Sequence, residues 1–425
     1  MKQKDQTIII VGAGAAGLMA AKRLSKRNRV VVLEASDRIG GRIHTVHVPG
    51  FTNPIEAGAE FIHGKLPLTL KLLKKAGINY NEVKGNFYRA DESGFHGRYE
   101  IIEGWDKLLK QMKKEKRDMT LYDFMQKRYA GEKYNGFRQH IRNYAEGFDV
   151  ADITQASIKA LYKEWSDEDP KIYRSPGGYS QLVSHLQDEC IKNDAEIITG
   201  SLVTQIDWEK NKVTIHTKEG KQYRGEKCIV TVPLDFLQKI NPASINFHPS
   251  LNDHINAAKE IGYGTVIKVV LEFSEPFWNS YAKETSFIIS DGKIPTWWTE
   301  FPDPVPLLTG WKGGPGAEEL SHKSDEEILQ IALVSLSAIF QLPVLEIQQK
   351  VIASKVFNWL TEKYAKGAYS YNYPSSKGAK TILNRPVDDT IFFAGEALYT
   401  KEPSGTVEAA LISGKEAAAK VRKTE

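Results

Sequence analysis

The chain has 425 residues, too many for one ordinary hydrophobic core and suited to two or three interleaved units. Apolar residues make up 41% and charged residues 26%, the balance of a folded globular protein, which excludes a disordered tail protein. Lysine and arginine number 57 against 53 acids; the net charge of +4 gives nucleic acid no broad basic field, and two cysteines, Cys190 and Cys228, exclude a disulfide-built fold or a cysteine-rich metal site.

Two lysines fall in residues 1–5 and Ile8 to Ala21 is apolar, an order that resembles a secretory signal. Gly12, Gly14 and Gly17 punctuate that run, with β-branched residues before them and helix formers after, and this favours a strand, a turn and a helix. No stretch approaches the ~20 apolar residues of a membrane span. A soluble, cytoplasmic protein that touches neither membrane nor nucleic acid is expected.

Thr7 to Val11 reads as a buried parallel strand, Leu18 to Arg27 as a helix with Leu18, Ala21 and Leu24 on one face, and Arg29 to Leu33 as a second buried strand ending in Glu34. Between the first strand and the helix lies Gly12-Ala13-Gly14-Ala15-Ala16-Gly17. The first glycine allows the tight turn, the second lets a pyrophosphate reach the backbone, and the third lets helix and strand pack closely. The helix N-terminus holds phosphate through free N–H groups and its dipole. Glu34 can accept hydrogen bonds from ribose hydroxyls. Together these residues predict a dinucleotide site.

The chain continues Glu34-Ala35-Ser36-Asp37-Arg38-Ile39-Gly40-Gly41-Arg42, adding N–H donors and two guanidinium groups beside the same diphosphate. This run resembles the second motif of the flavin-dependent amine oxidase superfamily, which includes monoamine oxidases, polyamine oxidases, L-amino-acid oxidases and flavin-dependent histone demethylases. Glu56 to Gly64, ending Phe61-Ile62-His63-Gly64, resembles the stretch where that family passes the flavin ring, and makes His63 a substrate-site candidate. The resemblance implies an α/β fold in which a Rossmann-type FAD-binding domain (1–80, 177–262 and 360–425) is interleaved with a mixed α+β substrate-binding domain (81–176 and 263–359).

Residues 80–176 lack β alternation and read as helical, with stretches from Trp105 to Met112 and Leu121 to Tyr129 and a solvated helix end at Lys113 to Arg117. Ser175 to Leu182 resembles the family's Gly-Gly re-entry into the FAD domain and opens a helix to Cys190. Val213 to Thr217 alternates, Glu219-Gly220 turns, and Cys228 to Val232 is expected to return as the second arm. The resemblance places the Val203 backbone at the adenine.

Lys268 interrupts the apolar run Val266 to Phe273. Edge exposure is the ordinary explanation, since an unpaired buried lysine is costly. The resemblance supplies another: with Pro276-Phe277-Trp278 at the matching distance, Lys268 is the lysine that holds a water against flavin N5 and assists oxidation of the reduced flavin by O2. A helix is predicted from Asp325 to Phe340. Trp297, Trp298 and Trp311 suit either a substrate funnel or packing.

Asn358-Trp359 and Gly367-Ala368-Tyr369-Ser370-Tyr371 match the family at fixed spacing. Trp359 is assigned to the cofactor and substrate walls, and Tyr369 to one side of an aromatic cage. Ala368 stands where monoamine oxidases carry their flavin-bonding cysteine, so FAD is expected to be non-covalent. Ile391 to Phe393 delivers Gly395-Glu396 to the flavin, and Pro403 to Glu408 opens a helix whose N-terminus, at Thr406 and Val407, faces the reducible ring. Thr406 replaces the second cage tyrosine, which favours a secondary amine or a polyamine-like chain.

The expected cofactor-site residues are therefore Gly12, Gly14, Ala15, Ala16, Gly17, Glu34, Ala35, Arg38, Gly41, Arg42, Val203, Trp359, Gly395, Glu396, Thr406 and Val407. Lys268 and Tyr369 are the catalytic candidates, with His63, Tyr369, Trp359 and Thr406 at the substrate. The activity implied is FAD-dependent oxidation of an amine to an imine, with O2 reduced to hydrogen peroxide and no metal. An L-amino-acid oxidase, which needs an arginine such as Arg89 or Arg174 for its carboxylate, a desaturase of the same fold, and an FAD-binding scaffold without turnover are the alternatives.

Overall fold

The computed structural model describes residues 6–91, 93–97, 104–167, 169, 171–238 and 244–424. Residues 1–5, with the lysines of the signal-like start, lie outside them.

Five strands form a parallel sheet in the order Glu196–Ile198, Arg29–Leu33, Thr7–Val11, Lys227–Val230 and Ile391–Phe393. Their near-continuous apolar sequences follow from burial on both faces. Ile8, Ile10, Val30, Val32, Ile229 and Phe392 point to one side, where Leu18, Leu186 and Leu411 come from the helices Ala15–Leu24, Ser180–Ile191 and Val407–Lys423. Ile9, Val11, Val31, Leu33, Val230 and Phe393 point to the other, onto a four-stranded layer that includes Val203–Glu209 and Lys212–Thr217. The first helix begins at Ala15, earlier than its sequence pattern predicts, and ends at Leu24.

The expected hairpin is corrected. Lys212–Thr217 pairs antiparallel with Gln222–Gly225, whereas Lys227–Val230 leaves that layer and lies parallel to Thr7–Val11. The Cys228 run is apolar on both faces, so it sits inside the parallel sheet, between Thr7–Val11 and Ile391–Phe393.

A second sheet has seven strands in the order Val351–Asn358, Val266–Phe273, Leu307–Gly313, Thr296–Thr299, Thr285–Ser290, Asn86–Asp91 and Gly94–Gly97. The helix Asp325–Phe340, begun by a Ser324–Glu327 capping box, covers one face. The helical reading of 80–176 is thus corrected at its start, where Asn86–Asp91 pairs parallel with Thr285–Ser290. Its half-exposed polar sequence gives no alternation, and its partner lies about two hundred residues away. The helical reading is corrected again at its end, where Ile172–Arg174 is a strand; between them the helices Trp105–Lys114, Leu121–Arg128, Asn135–Phe148 and Ile158–Asp167 share one core, as predicted.

Candidate active site

One cavity of about 1450 Å³ is lined from both large sheets. It exceeds the ~300–1,000 Å³ of an ordinary small-molecule site, leaving room for a dinucleotide and a second ligand together. Gly12, Glu34 and Gly395 follow the C-terminal ends of three parallel strands and line it, the edge at which open α/β sheets bind ligands. A Cβ added at Gly14 or Gly395 would meet nothing within 4 Å. Both positions leave space along the cavity wall where a diphosphate can approach the backbone.

Glu34 is buried and held by two backbone donors, with Ala13 N at 2.7 Å and Ser36 N at 2.9 Å. Burial pushes its carboxyl above the usual carboxylate range. Arg38 turns back onto the Gly41 carbonyl, 2.8 Å away. Arg42 Nη1 donates to the Ala368 carbonyl at 2.7 Å and to Glu396 Oε1 at 2.9 Å, and Ser370 Oγ donates to Glu396 Oε2 at 2.7 Å. Arg42 and Glu396 therefore form a latch joining the Gly-Gly turn to two C-terminal segments. Ala15, Ala16, Ala35, Gly41, Arg42, Val203, Trp359, Glu396, Thr406 and Val407 all line the cavity. Trp359 is fixed by its Nε1, which donates to the Ala57 carbonyl at 2.9 Å.

Gly17 is the exception among the expected cofactor residues. It does not line the cavity; a Cβ there would overlap the Gly12 carbonyl oxygen and stand 2.9 Å from Thr231 Oγ1. Its place is the close packing of the first helix on the glycine turn and the Thr231 segment.

Lys268 lies on the second strand of the seven-stranded sheet, not at an edge. All eight residues of Val266–Phe273 are buried. Ile267, Val269, Leu271 and Phe273 point into the core under Asp325–Phe340. The two-residue period turns Lys268 to the other face, where it lines the cavity. It is 1% exposed, and its ammonium donates to Glu60 Oε2 at 2.6 Å. Glu60 Oε1 accepts from Trp298 Nε1 at 3.0 Å and lies 2.8 Å from Arg174 Nη2. Arg174 Nη1 in turn reaches Glu300 at 2.9 Å. Burial opposes the charge on Glu60, but Lys268 and then Arg174 outweigh it and hold the carboxyl below its usual range. Burial pushes Glu56 up to about 7 against the Tyr179 N–H and the charge of Lys268, which lower it.

Tyr369 lines the cavity and its hydroxyl donates to the Phe148 carbonyl at 2.6 Å. His63 sits edge-on to Phe61 and Phe148, with ring centroids 5.9 and 5.6 Å apart. Burial lowers its pKa to about 4, so the imidazole is neutral at ordinary pH. Trp298 and Trp311 also line the cavity, whereas Trp297 is fully enclosed and packs against Gly310.

Sequence reasoning passed over Glu60 and Phe148. Glu60 stood within the Glu56 to Gly64 stretch and carried a signal, an acid between apolar neighbours, but its cationic partners lie 114 and 208 residues further on. Phe148 ends the helix Asn135–Phe148, stacks on Tyr144 at 5.5 Å and faces the cavity; nothing in its local sequence marks it. Arg174, a candidate carboxylate clamp, is taken up by two acids and is not among the residues lining the cavity. Arg89 lines it and pairs with Asp291 at 2.8 Å. Among the described residues no cluster of three or more His, Cys, Asp or Glu could hold a metal, and no single helix is long and apolar enough to cross a membrane.

Residues 15–422 match the family of flavin containing amine oxidoreductases. Lysine-specific histone demethylase 1 homolog 3 of Arabidopsis thaliana is 28% identical over 96% of this chain, which spans 29% of that protein. Polyamine oxidase 4 of Oryza sativa subsp. japonica is 27% identical over 98% of this chain and 88% of its own length. The solved structure of cyclohexylamine oxidase from Brevibacterium oxydans IH-35A superposes with a TM-score of 0.81 at 19% identity, covering 99% of both chains; at that identity it shows a shared fold.

Proposed function

The chain belongs to the flavin containing amine oxidoreductase family, and from that premise we propose that it binds FAD non-covalently and oxidises a polyamine-like or secondary amine to an imine. The observation that carries this reading is the single cavity in which the dinucleotide cradle runs without interruption into a chamber walled by Lys268, Tyr369, His63 and Phe148. The strands of the five-stranded sheet fall in 1–80, 177–262 and 360–425, and those of the seven-stranded sheet in 81–176 and 263–359. This distribution supports a cofactor domain and a substrate domain with those limits.

Bound FAD would accept the hydride at N5 and pass two electrons to O2, giving hydrogen peroxide. The glycine turn, Glu34 and the first helix hold the nucleotide half, and Val203 meets the adenine. Trp359 and the Arg42–Glu396 latch hold the other half. The N-terminus of Val407–Lys423, with Thr406 as its cap, presents partial positive charge to the ring that gains electrons. Ala368 offers no thiol, so the bond to the protein stays non-covalent. Tyr369 and Phe148 give the amine two aromatic faces. Neutral His63 can hydrogen-bond an amine without repelling its charge. Glu164, Asp167, Asp169 and Glu402 also line the cavity and favour a substrate with a second cationic nitrogen. The reacting nitrogen must be neutral, so turnover rises with pH through an amine-linked ionisation.

The test is an amine panel mixed with the yellow holoprotein without oxygen. Polyamines or secondary amines are expected to bleach the visible flavin band. Bleaching by L-amino acids alone would replace this reading with the amino-acid oxidase alternative, and bleaching by nothing would favour the scaffold.

A further inference from the structure

The Glu60 carboxylate gathers donors from three separate segments. Lys268 comes from Val266–Phe273, Trp298 from Thr296–Thr299 and Arg174 from Ile172–Arg174. Glu60 itself immediately precedes Phe61–His63, which pairs antiparallel with Ile172–Arg174. Its Oε2 is given to the lysine and its Oε1 to the other two. Arg174 is braced independently by Glu300 at 2.9 Å and by the Thr299 carbonyl at 3.1 Å. Lys268 has no such second anchor: among the described residues, Glu60 is the one carboxylate within ion-pair distance of its ammonium. The Trp298 ring lies 5.4 Å from that ammonium and adds a weaker cation–π contact.

A lysine side chain left alone in a cavity wall has several rotamers and a solvation demand that nothing in this apolar wall meets. Burying a cation is tolerated when an opposite charge with good geometry accompanies it, and removing one partner leaves the other uncompensated. We propose that Glu60 is the positioning residue for Lys268. Its carboxylate holds the ammonium in one place on the reactive side of the cavity, so that the lysine works in flavin reoxidation only while Glu60 is paired with it. The inference rests on the flavin reading above. In the step concerned, the reduced flavin gives two electrons and two protons to O2, hydrogen peroxide leaves, and Lys268 keeps its protons throughout, acting as a fixed charge. Without Glu60, Arg174 would keep Glu300 while Lys268 would lose its one ion-pair partner, and the ammonium would leave its position.

A double-mutant cycle tests this. Wild type, Glu60→Gln, Lys268→Met and the double variant are loaded with FAD, photoreduced without any amine, and mixed with O2 while the flavin band is followed. Photoreduction makes the result independent of whether the substrate assignment holds. Glu60→Gln is expected to slow reoxidation by about ten- to a hundredfold, the loss produced by a small misplacement of a reacting group. The double variant should be no slower than Lys268→Met, and Glu60→Asp should recover most of the rate, which a purely structural role would not. Thermal unfolding gives a second reading that needs no turnover. The double variant should melt above Glu60→Gln, because the orphaned cation is gone. Wild-type reoxidation in Glu60→Gln, multiplying losses in the double variant, or a double variant that melts below Glu60→Gln would each overturn the proposal. If Glu60→Gln does not fold, Glu60→Asp and the double variant carry the same comparison: unchanged reoxidation in Glu60→Asp together with a double variant slower than Lys268→Met would overturn it.

Discussion

Tyr369 owes its position to a glycine as much as to its own hydrogen bond. Gly405 has φ +65°, and a Cβ there would stand 3.0 Å from Tyr369 Cδ2. Gly405→Ala is expected to cost about 1–2 kcal/mol through the left-handed backbone and also to push the ring, so thermal unfolding and kcat should fall together. His63 carries a pH signature. Its folded-state pKa of about 4 lies below the 6.5 of a free histidine, so between those values the unfolded chain binds more protons. Its contribution to stability is present above pH 6.5 and is lost as pH falls toward 4. Denaturant titrations at pH 7 and pH 4.5 should show a smaller acid loss for His63→Gln than for wild type; an equal loss would mean that another group dominates the acid limb.

At the scale of elements, the site is held by helices that depend on one another. Glu408, in the first turn of Val407–Lys423, accepts from Leu68 N at 2.9 Å, Thr69 N at 2.7 Å and Thr69 Oγ1 at 2.6 Å. It therefore caps the N-terminus of a different helix, Pro67–Ala76. Glu408→Ala leaves these buried donors without a partner and is expected to destabilise the protein by about 2–4 kcal/mol, with weaker FAD retention because the same turn faces the cavity. Calorimetry and the flavin content after gel filtration measure the two effects. Gly17→Ala is expected to separate the first helix from the glycine turn, and the protein should purify colourless while still folded. Gly17 and Glu408 both lie on helices that were readable as elements, whereas the helix that Glu408 caps, Pro67–Ala76, was not read from the sequence. The motif spacing marked Gly17, but the reach of Glu408 across some 340 residues had no local trace.

Over the whole molecule, the cavity lies between the parallel sheet and the Lys268 face of the seven-stranded sheet, the face opposite the core under Asp325–Phe340. A ligand filling it contacts segments from both ends of the chain, so FAD binding and global stability are linked. At free FAD a thousandfold above its dissociation constant the added stability is about 4 kcal/mol. The unfolding temperature of the stripped protein should climb steadily with added FAD, and a midpoint insensitive to FAD would place the cofactor elsewhere. The parallel sheet, its helices and the cradle residues were legible because each rests on a pattern within a few tens of residues. The strands Asn86–Asp91 and Gly94–Gly97 were not, since a half-exposed strand at the side of a sheet needs neither alternation nor an apolar run.

By itself, the sequence determined the βαβ unit with its glycines and acid, the apolar run that Lys268 interrupts, and the helix opening at Thr406. These follow from local backbone geometry and from hydrophobic periodicity, which a linear string records. Only the tertiary structure decided that Lys268 is paired rather than bare, that Arg174 is spent on Glu60 and Glu300, and that the Tyr369 hydroxyl bonds the Phe148 carbonyl. Those outcomes depend on which distant groups share a low-dielectric space, and electrostatic pairing and steric contact act through distance in space rather than separation along the chain.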